Sequence, residues 1–64
     1  MLSEQLKKIR DTHGISQEAA ARKIGVSFVS WNTWENGSGN PSLKTLQAIK
    51  LNFPSFDMND IEQG

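Results

Sequence analysis

The sequence predicts an all-α domain built from four to five short helices. Apolar residues recur at helical spacing in several segments, beginning with Leu2, Leu6 and Ile9. No segment alternates apolar and polar residues as a half-buried strand would. Residues such as Gly25 and Ser27 stand between the helical segments, where glycine suits a helix end and serine an N-cap. A chain of 64 residues is sufficient for one small domain.

The first helix is expected from Leu2 to Thr12. Ser3 is its candidate N-cap, and Gly14 is suited to the position just after its C-terminus. His13 is interpreted as a capping or solvent-facing residue. A metal ligand or catalytic base is the alternative, but no partner residues accompany it.

The second and third helices form the centre of the chain. The second is expected over Gln17–Ile24 with Ser16 as its N-cap, and Gly25 ends it with a positive φ. The third is expected over about residues 27–36, capped by Ser27. A helix, a tight glycine turn and a second helix make up the helix-turn-helix arrangement.

Two tryptophans on the third helix are interpreted as core residues. Trp31 and Trp34 could stack on bases, but their spacing within the motif favours burial. Ala21 provides the small side chain that closely crossing helices need. Ala20 is expected to leave room for the large Trp31 at nearly constant core volume.

The fourth helix is expected to be capped by Ser42 and ended by Pro54. Its inward face is predicted to consist of Leu43, Leu46, Ile49 and Phe53. 

Residues 54–64 form a C-terminal segment in which a short fifth helix could start at Ser55 or Asp57. Phe56, Met58 and Ile61 lack a clean helical spacing, so they either seal the core or form a dimer surface.

The sequence resembles the Cro/CI-type helix-turn-helix, or XRE, family of phage and bacterial repressors. The resemblance extends over about residues 2–53 and implies a lambda-repressor-like fold, with residues 1–64 as a single domain. The matching positions are Ser16-Gln17-Glu18, Ala21, Ile24-Gly25-Val26-Ser27, Trp34-Glu35-Asn36-Gly37 and Asn40-Pro41-Ser42-Leu43. The departures are Ala20, Trp31 and an apolar pair, Phe28 and Val29, where the family usually has polar or basic readers.

The resemblance implies that Ser27, Phe28, Val29 and Thr33 contact bases in the major groove, and Asn32 lies close to that face. Asn can pair with adenine through two hydrogen bonds, and apolar side chains can touch thymine methyl groups. The third helix has no Arg or Lys to bind guanine. We therefore expect contacts with A·T pairs.

Phe28 and Val29 have two further interpretations. Exposed apolar residues at a helix start can form a protein-binding patch. They could also be partly buried under the first helix.

The predicted phosphate contacts lie around the reading helix: Gln17, Arg22, Asn36, Ser38 and Lys44. Gln17 is placed at a helix N-terminus, which attracts anions, although a solvent-exposed Gln is the alternative. Residues 36–41 are all turn formers, and their backbone N–H groups could approach a phosphate. Ser38 and Gly39 stand where many relatives carry Lys or Arg, so we expect a weaker electrostatic contribution.

The resemblance also implies an ion pair between Arg10 and Glu35. This partly buried pair would fix the first helix against the reading helix.

Charge is balanced in sum but divided along the chain. Residues 1–50 hold all seven basic residues and four acidic ones, whereas residues 51–64 hold three acidic and no basic residues. Nucleic-acid binding depends on the local field rather than on the sum. The same division would also fit a plain solvated surface with an acidic end.

Several classes of function are disfavoured by composition. Cysteine is absent and there is one histidine, so we expect no metal site, no cofactor and no disulfide. No catalytic set of residues is evident, so an enzyme with a small-molecule substrate is not expected. No apolar run approaches a membrane span, and the first residues lack a secretory apolar region, so a cytoplasmic location is expected.

These observations together predict a sequence-specific double-stranded DNA-binding protein. It is expected to be a transcriptional repressor that binds as a homodimer to two half-sites about one helical turn apart. The alternative is a helix-turn-helix fold used as a protein-interaction module, such as an antitoxin or antirepressor component.

Overall fold

Four α-helices follow one another in the computed structural model, which describes residues 1–60. They are α1 (Leu2–His13), α2 (Gln17–Ile24), α3 (Phe28–Glu35) and α4 (Leu43–Asn52). No strand occurs in this described part of the chain. The predicted all-α fold class is therefore confirmed, with four helices.

Three serines cap three of the helices, as predicted. Ser16, Ser27 and Ser42 each accept a hydrogen bond from the backbone N–H three residues further on, at 3.1 to 3.2 Å. Such a side chain satisfies one of the N–H groups that have no partner within the helix. The caps fix where α2, α3 and α4 begin.

The predicted cap of α1 is wrong, because Ser3 lies inside the helix. The helix begins at Leu2, and Met1 precedes it without a side-chain cap. Leu2 is 4% exposed and belongs to the same apolar face as Leu6. This face requires Leu2 to be helical, so the helix must start before Ser3.

Two glycines with positive φ follow the ends of α2 and α3. Gly25, with φ of 80°, donates its N–H to the carbonyl of Arg22 at 3.2 Å and ends α2. Gly37, with φ of 75°, follows α3. A residue with a Cβ is strained at such a φ, whereas glycine is not.

The core lies where α3 packs against α1 and α2, and α2 also packs against α4. Trp31 is fully buried at its centre, as predicted, and its ring meets Phe53 edge-on with centroids 6.4 Å apart. Ala20 and Ala21 are buried, and Trp34 is half-buried against the same cluster. None of the helices in residues 1–60 combines the length and the apolar character needed to cross a membrane.

The predicted inward position of Leu43 is wrong, because this side chain is 64% exposed. Leu46, Ile49 and Phe53 are buried as expected. Leu43 lies in the first turn of α4, about 60° around the helix from Leu46. Pro41, just before this turn, is buried, whereas Leu43 is not.

Residues 54–60 form turns, and the possible fifth helix is not found in them. Phe56 is 1% exposed and belongs to the core, and Met58 packs against it. Phe56 therefore seals the core, which was one of the two predicted roles. Ile61 lies outside the described residues.

Two side chains account for the non-helical path of this segment. Gln5 on α1 donates to the carbonyl oxygens of Asp57 at 2.9 Å and Asp60 at 2.7 Å. Lys50 on α4 donates to two further carbonyl oxygens, those of Pro54 and Phe56. Side chains from α1 and α4 thus bind backbone carbonyl oxygens of this segment that would accept backbone hydrogen bonds in a helix.

Candidate nucleic-acid interface

The glycine turn and the Ser27 cap position α3 on the surface. The Ser27 hydroxyl accepts from the Ser30 N–H at 3.1 Å and donates to the Ser30 hydroxyl at 3.0 Å. Ser27 was predicted to contact bases. In this structure its hydroxyl already makes two hydrogen bonds that hold the start of the helix.

An apolar surface follows directly at the start of α3. Phe28 is 49% exposed and Val29 is 68% exposed. Half of the Phe28 surface is therefore covered by the protein, while Val29 projects largely into solvent. Large apolar side chains that are this exposed are informative when they are adjacent, because they point to a binding surface.

Thr33 lies further along α3 and is half-buried. A Cβ built on Gly39 would lie 3.3 Å from the Thr33 methyl carbon. The loop after α3 therefore approaches Thr33 closely, and a larger residue at Gly39 would press on this predicted reading position.

Glu35 at the end of α3 is buried, with 2% of its surface exposed. Arg10 from α1 donates to it through both Nε and Nη2, the second bond measuring 3.0 Å. Trp31 donates its indole N–H, and Gln17 donates its side-chain N–H at 3.0 Å. The carboxylate accepts four hydrogen bonds, about as many as its two oxygens can take.

The hydrogen-bond donors around Glu35 stabilise its negative charge. Burial raises the pKa of the Glu35 carboxyl, but hydrogen bonds from Arg10, Trp31 and Gln17 lower it, and the net pKa lies below the ordinary value. The hydrogen bond to Glu35 raises the pKa of Arg10. Both groups are therefore charged at neutral pH, and they join α1 to α3.

A chain of hydrogen-bonded amide side chains lies on the face of α3 next to α2. It consists of Gln17, Asn32 and Asn36. Asn32 donates to the Gln17 oxygen at 2.9 Å, and Asn36 donates to the Asn32 oxygen at 3.1 Å. Gln17 in turn donates to Glu35. Gln17 was predicted to contact phosphate and Asn32 to read adenine, and in this structure both amides bind neighbouring side chains.

The loop after α3 uses its first backbone N–H groups internally. Those of Asn36, Gly37 and Ser38 donate to the carbonyls of Asn32, Trp34 and Thr33, at 3.1, 3.2 and 3.1 Å. These three N–H groups close the helix end and are not free for a phosphate. The exposed Ser38 side chain remains available at this position.

Two of the predicted phosphate contacts are cationic side chains on α2 and α4. Arg22 on α2 is 79% exposed and is 3.7 Å from Glu18, one turn earlier. Lys44 is exposed in the first turn of α4. An exposed ion pair of this length contributes little energy, so it would not prevent Arg22 from contacting a phosphate.

Sequence reasoning missed the convergence of Trp31 and Gln17 on Glu35. Trp31 and Glu35 are four residues apart on one helix, so they share a face. A buried indole N–H requires an acceptor, and this requirement was the available signal. The bond from Gln17 had no such signal, because it depends on how α2 crosses α3.

Comparisons with known proteins agree with this arrangement. A family model described as "Helix-turn-helix" matches residues 6–49. The SPbeta prophage-derived uncharacterized HTH-type transcriptional regulator YonR of Bacillus subtilis is 37% identical over 49 residues, which are 77% of this chain and 45% of YonR. The uncharacterized HTH-type transcriptional regulator YqaE of Bacillus subtilis is 39% identical over 46 residues, 72% of this chain and 40% of YqaE.

A third relative covers nearly the whole chain. The HTH-type transcriptional activator BcrR of Enterococcus faecalis is 29% identical over 62 residues, 97% of this chain and 30% of BcrR. The chain thus spans less than half the length of each of these relatives. No solved structure matches the chain significantly.

Proposed function

We propose, from the premise that this chain belongs to the helix-turn-helix family, that it binds double-stranded DNA sequence-specifically and regulates transcription. One observation carries the proposal. Helix α3 is fixed at its buried end by Glu35, while its opposite end exposes Phe28 and Val29 beside the glycine turn. A recognition helix contacts base edges in the major groove with its N-terminal residues, so an exposed helix start with a buried opposite end suits this role. The relatives, which are named as transcriptional regulators, support the same function.

We assign base reading to the exposed and half-buried side chains along α3. We infer that Phe28, Val29 and Thr33 contact thymine methyl groups, with Ser27 beside them. No Arg or Lys occurs in α3 to bind guanine O6 and N7. A reading surface with apolar side chains and no Arg or Lys favours A·T pairs at the positions that it contacts.

Phosphate binding is assigned to the side chains that surround α3. Gln17 at the start of α2 and Asn36 just after α3 belong to the same chain of amides beside α3. Ser38, Lys44 and Arg22 are exposed further out. Since two of these five are cationic, we expect the affinity to fall as salt increases, but less steeply than for a surface with more cationic contacts.

We infer that the protein binds as a homodimer and represses transcription. One small module covers a limited stretch of DNA, so two copies on an inverted repeat would supply the affinity. Repression follows the family resemblance of the sequence, while one relative is named an activator. A reporter gene that carries the selected operator distinguishes the two, because a repressor lowers its expression and an activator raises it.

Selection of binding sites from a random duplex library tests the proposal. The enriched pool should contain an inverted repeat with half-sites about 10 bp apart. Replacing thymine by uracil in the half-sites should lower the affinity, because it removes the methyl groups. Failure to enrich any sequence, even at about 50 mM salt where phosphate contacts are strongest, would contradict DNA binding.

The alternative function is a protein-interaction module. Leu43 and Leu51 on α4, 64% and 82% exposed, are two further exposed apolar side chains and favour it. Binding to a protein partner through apolar contacts would be insensitive to salt, whereas DNA binding weakens as salt increases.

A further inference from the structure

The chain of amides on α3 connects a buried charge to the protein surface. Its first bond joins Gln17 to the buried Glu35 at 3.0 Å. The next two bonds, at 2.9 and 3.1 Å, lead through Asn32 to the exposed Asn36. Three neutral side chains thus extend outward from the ion pair between Arg10 and Glu35.

The orientation of every amide in this chain is fixed by Glu35. An ionised carboxylate only accepts hydrogen bonds, so Gln17 must turn its NH₂ group toward Glu35. Its oxygen then faces Asn32, which must present an NH₂ group in return. By the same reasoning Asn32 turns its oxygen toward Asn36. Reversing any one amide would bring two acceptors, or two donors, face to face.

Asn32 therefore has its oxygen and one N–H bound by its neighbours. Reading adenine would require both the oxygen and the NH₂ group of Asn32. An amide has two N–H groups and two oxygen lone pairs, so a contact with adenine could use only the N–H and the lone pair that are left over, in the direction that the bonds to Gln17 and Asn36 fix.

Gln17 and Asn36 are two amide side chains predicted to contact phosphate, and such a contact requires a particular orientation of each amide. Phosphate oxygens only accept, so an amide must meet them with an N–H. Each of these amides uses one N–H within the chain and keeps a second one free of the chain. Without Asn32, Gln17 would keep only its bond to Glu35, and Asn36 would lose its bond to the chain, so either end of the Asn36 amide could face the DNA.

We propose that Asn32 is a positioning residue, which holds Gln17 and Asn36 in the orientation that donates to DNA phosphates, and not a base-reading residue. This assignment rests on the proposed function. It replaces the direct adenine contact that the sequence suggests for Asn32. It predicts that Asn32 affects affinity for all sequences equally, because phosphates are the same at every base pair.

The test compares Asn32→Ala with wild type on the selected operator and on its single-base variants. Gln47→Ala is the matched control, since it removes an exposed amide from α4. Asn32→Ala should weaken binding roughly tenfold on every duplex, as expected for lost hydrogen bonds, while base preference stays unchanged. Loss of discrimination at one base pair alone would overturn the positioning role and restore Asn32 as a reader.

A second measurement uses the wild-type protein and does not depend on the variant folding. The side-chain amide signals of residues 17, 32 and 36 are followed by NMR as the selected duplex is added. Signals of Gln17 and Asn36 should shift strongly and those of Asn32 weakly. The largest shift at Asn32 would overturn the proposal. Wild type that binds no duplex would overturn the proposed function and this role with it, whereas altered base preference in Asn32→Ala would overturn the positioning role alone.

Discussion

The two ends of α3 have opposite chemistry. At its start, Phe28 and Val29 are apolar and 49% and 68% exposed, whereas at its end the charged Glu35 is 2% exposed. Globular proteins usually place these residue types the other way round. The comparison separates two requirements: the buried end fixes the position of the helix, and the exposed end is left free to bind.

The buried end is held by complementary hydrogen bonds. A buried ion pair adds little net stability over a well-packed apolar replacement, because both charges must be removed from water. Once the fold contains Glu35, however, it depends on Arg10, Trp31 and Gln17 to satisfy that carboxylate. Damage to this end should therefore lower stability, and damage to the other end should not.

The largest effect is expected from Arg10→Met, which leaves the Glu35 charge buried without its cation. Removing one partner of a buried pair costs roughly 3–5 kcal/mol, and the free energy of unfolding measured in urea should fall by about this amount. Arg22→Met is the matched control, since that arginine is 79% exposed and only 3.7 Å from Glu18. Its effect should stay within about 0.5 kcal/mol. Equal effects of the two variants would mean that the buried pair does not fix α3.

A smaller loss is expected from acid, because a protonated Glu35 retains its position and an acceptor oxygen. The pKa of Glu35 is lowered in the folded state from an ordinary value of 4.5. Its contribution to stability is therefore complete above about pH 4.5 and is lost as the pH falls through the lowered pKa. Unfolding free energies measured from pH 6 downward should decline more steeply in wild type than in Glu35→Gln. Parallel curves would contradict the account of this charge.

Helix boundaries were predictable where a single residue determines them. Ser16, Ser27 and Ser42 act as caps, and Gly25 ends α2, because each acts on backbone groups within a few residues. The cap at Ser3 was wrong, because burial of Leu2 extends α1 beyond it. Tertiary packing of Leu2 thus outweighed the local preference of Ser3 for the N-cap position.

The site was predictable in its parts but not in its connections. The position of Trp31 within the motif predicted its burial, and resemblance suggested the partners Arg10 and Glu35, which the structure joins in an ion pair. The bonds from Gln17 to Glu35 and to Asn32 depend on the crossing of α2 and α3, which spacing along the chain does not determine. Likewise, the C-terminal turns depend on donors from distant helices, such as Gln5.

The smallest effect on stability is expected at the exposed end of α3, where the central claim is tested most directly. For Val29→Ala, the free energy of unfolding and the affinity for the selected duplex are measured on the same sample, with Leu51→Ala as control because Leu51 is 82% exposed on α4. Val29→Ala should change stability by no more than about 0.5 kcal/mol and weaken DNA binding clearly, whereas Leu51→Ala should change neither. Unchanged DNA affinity in Val29→Ala, or a loss that merely follows reduced stability, would contradict the division between a fixed end and a binding end of α3.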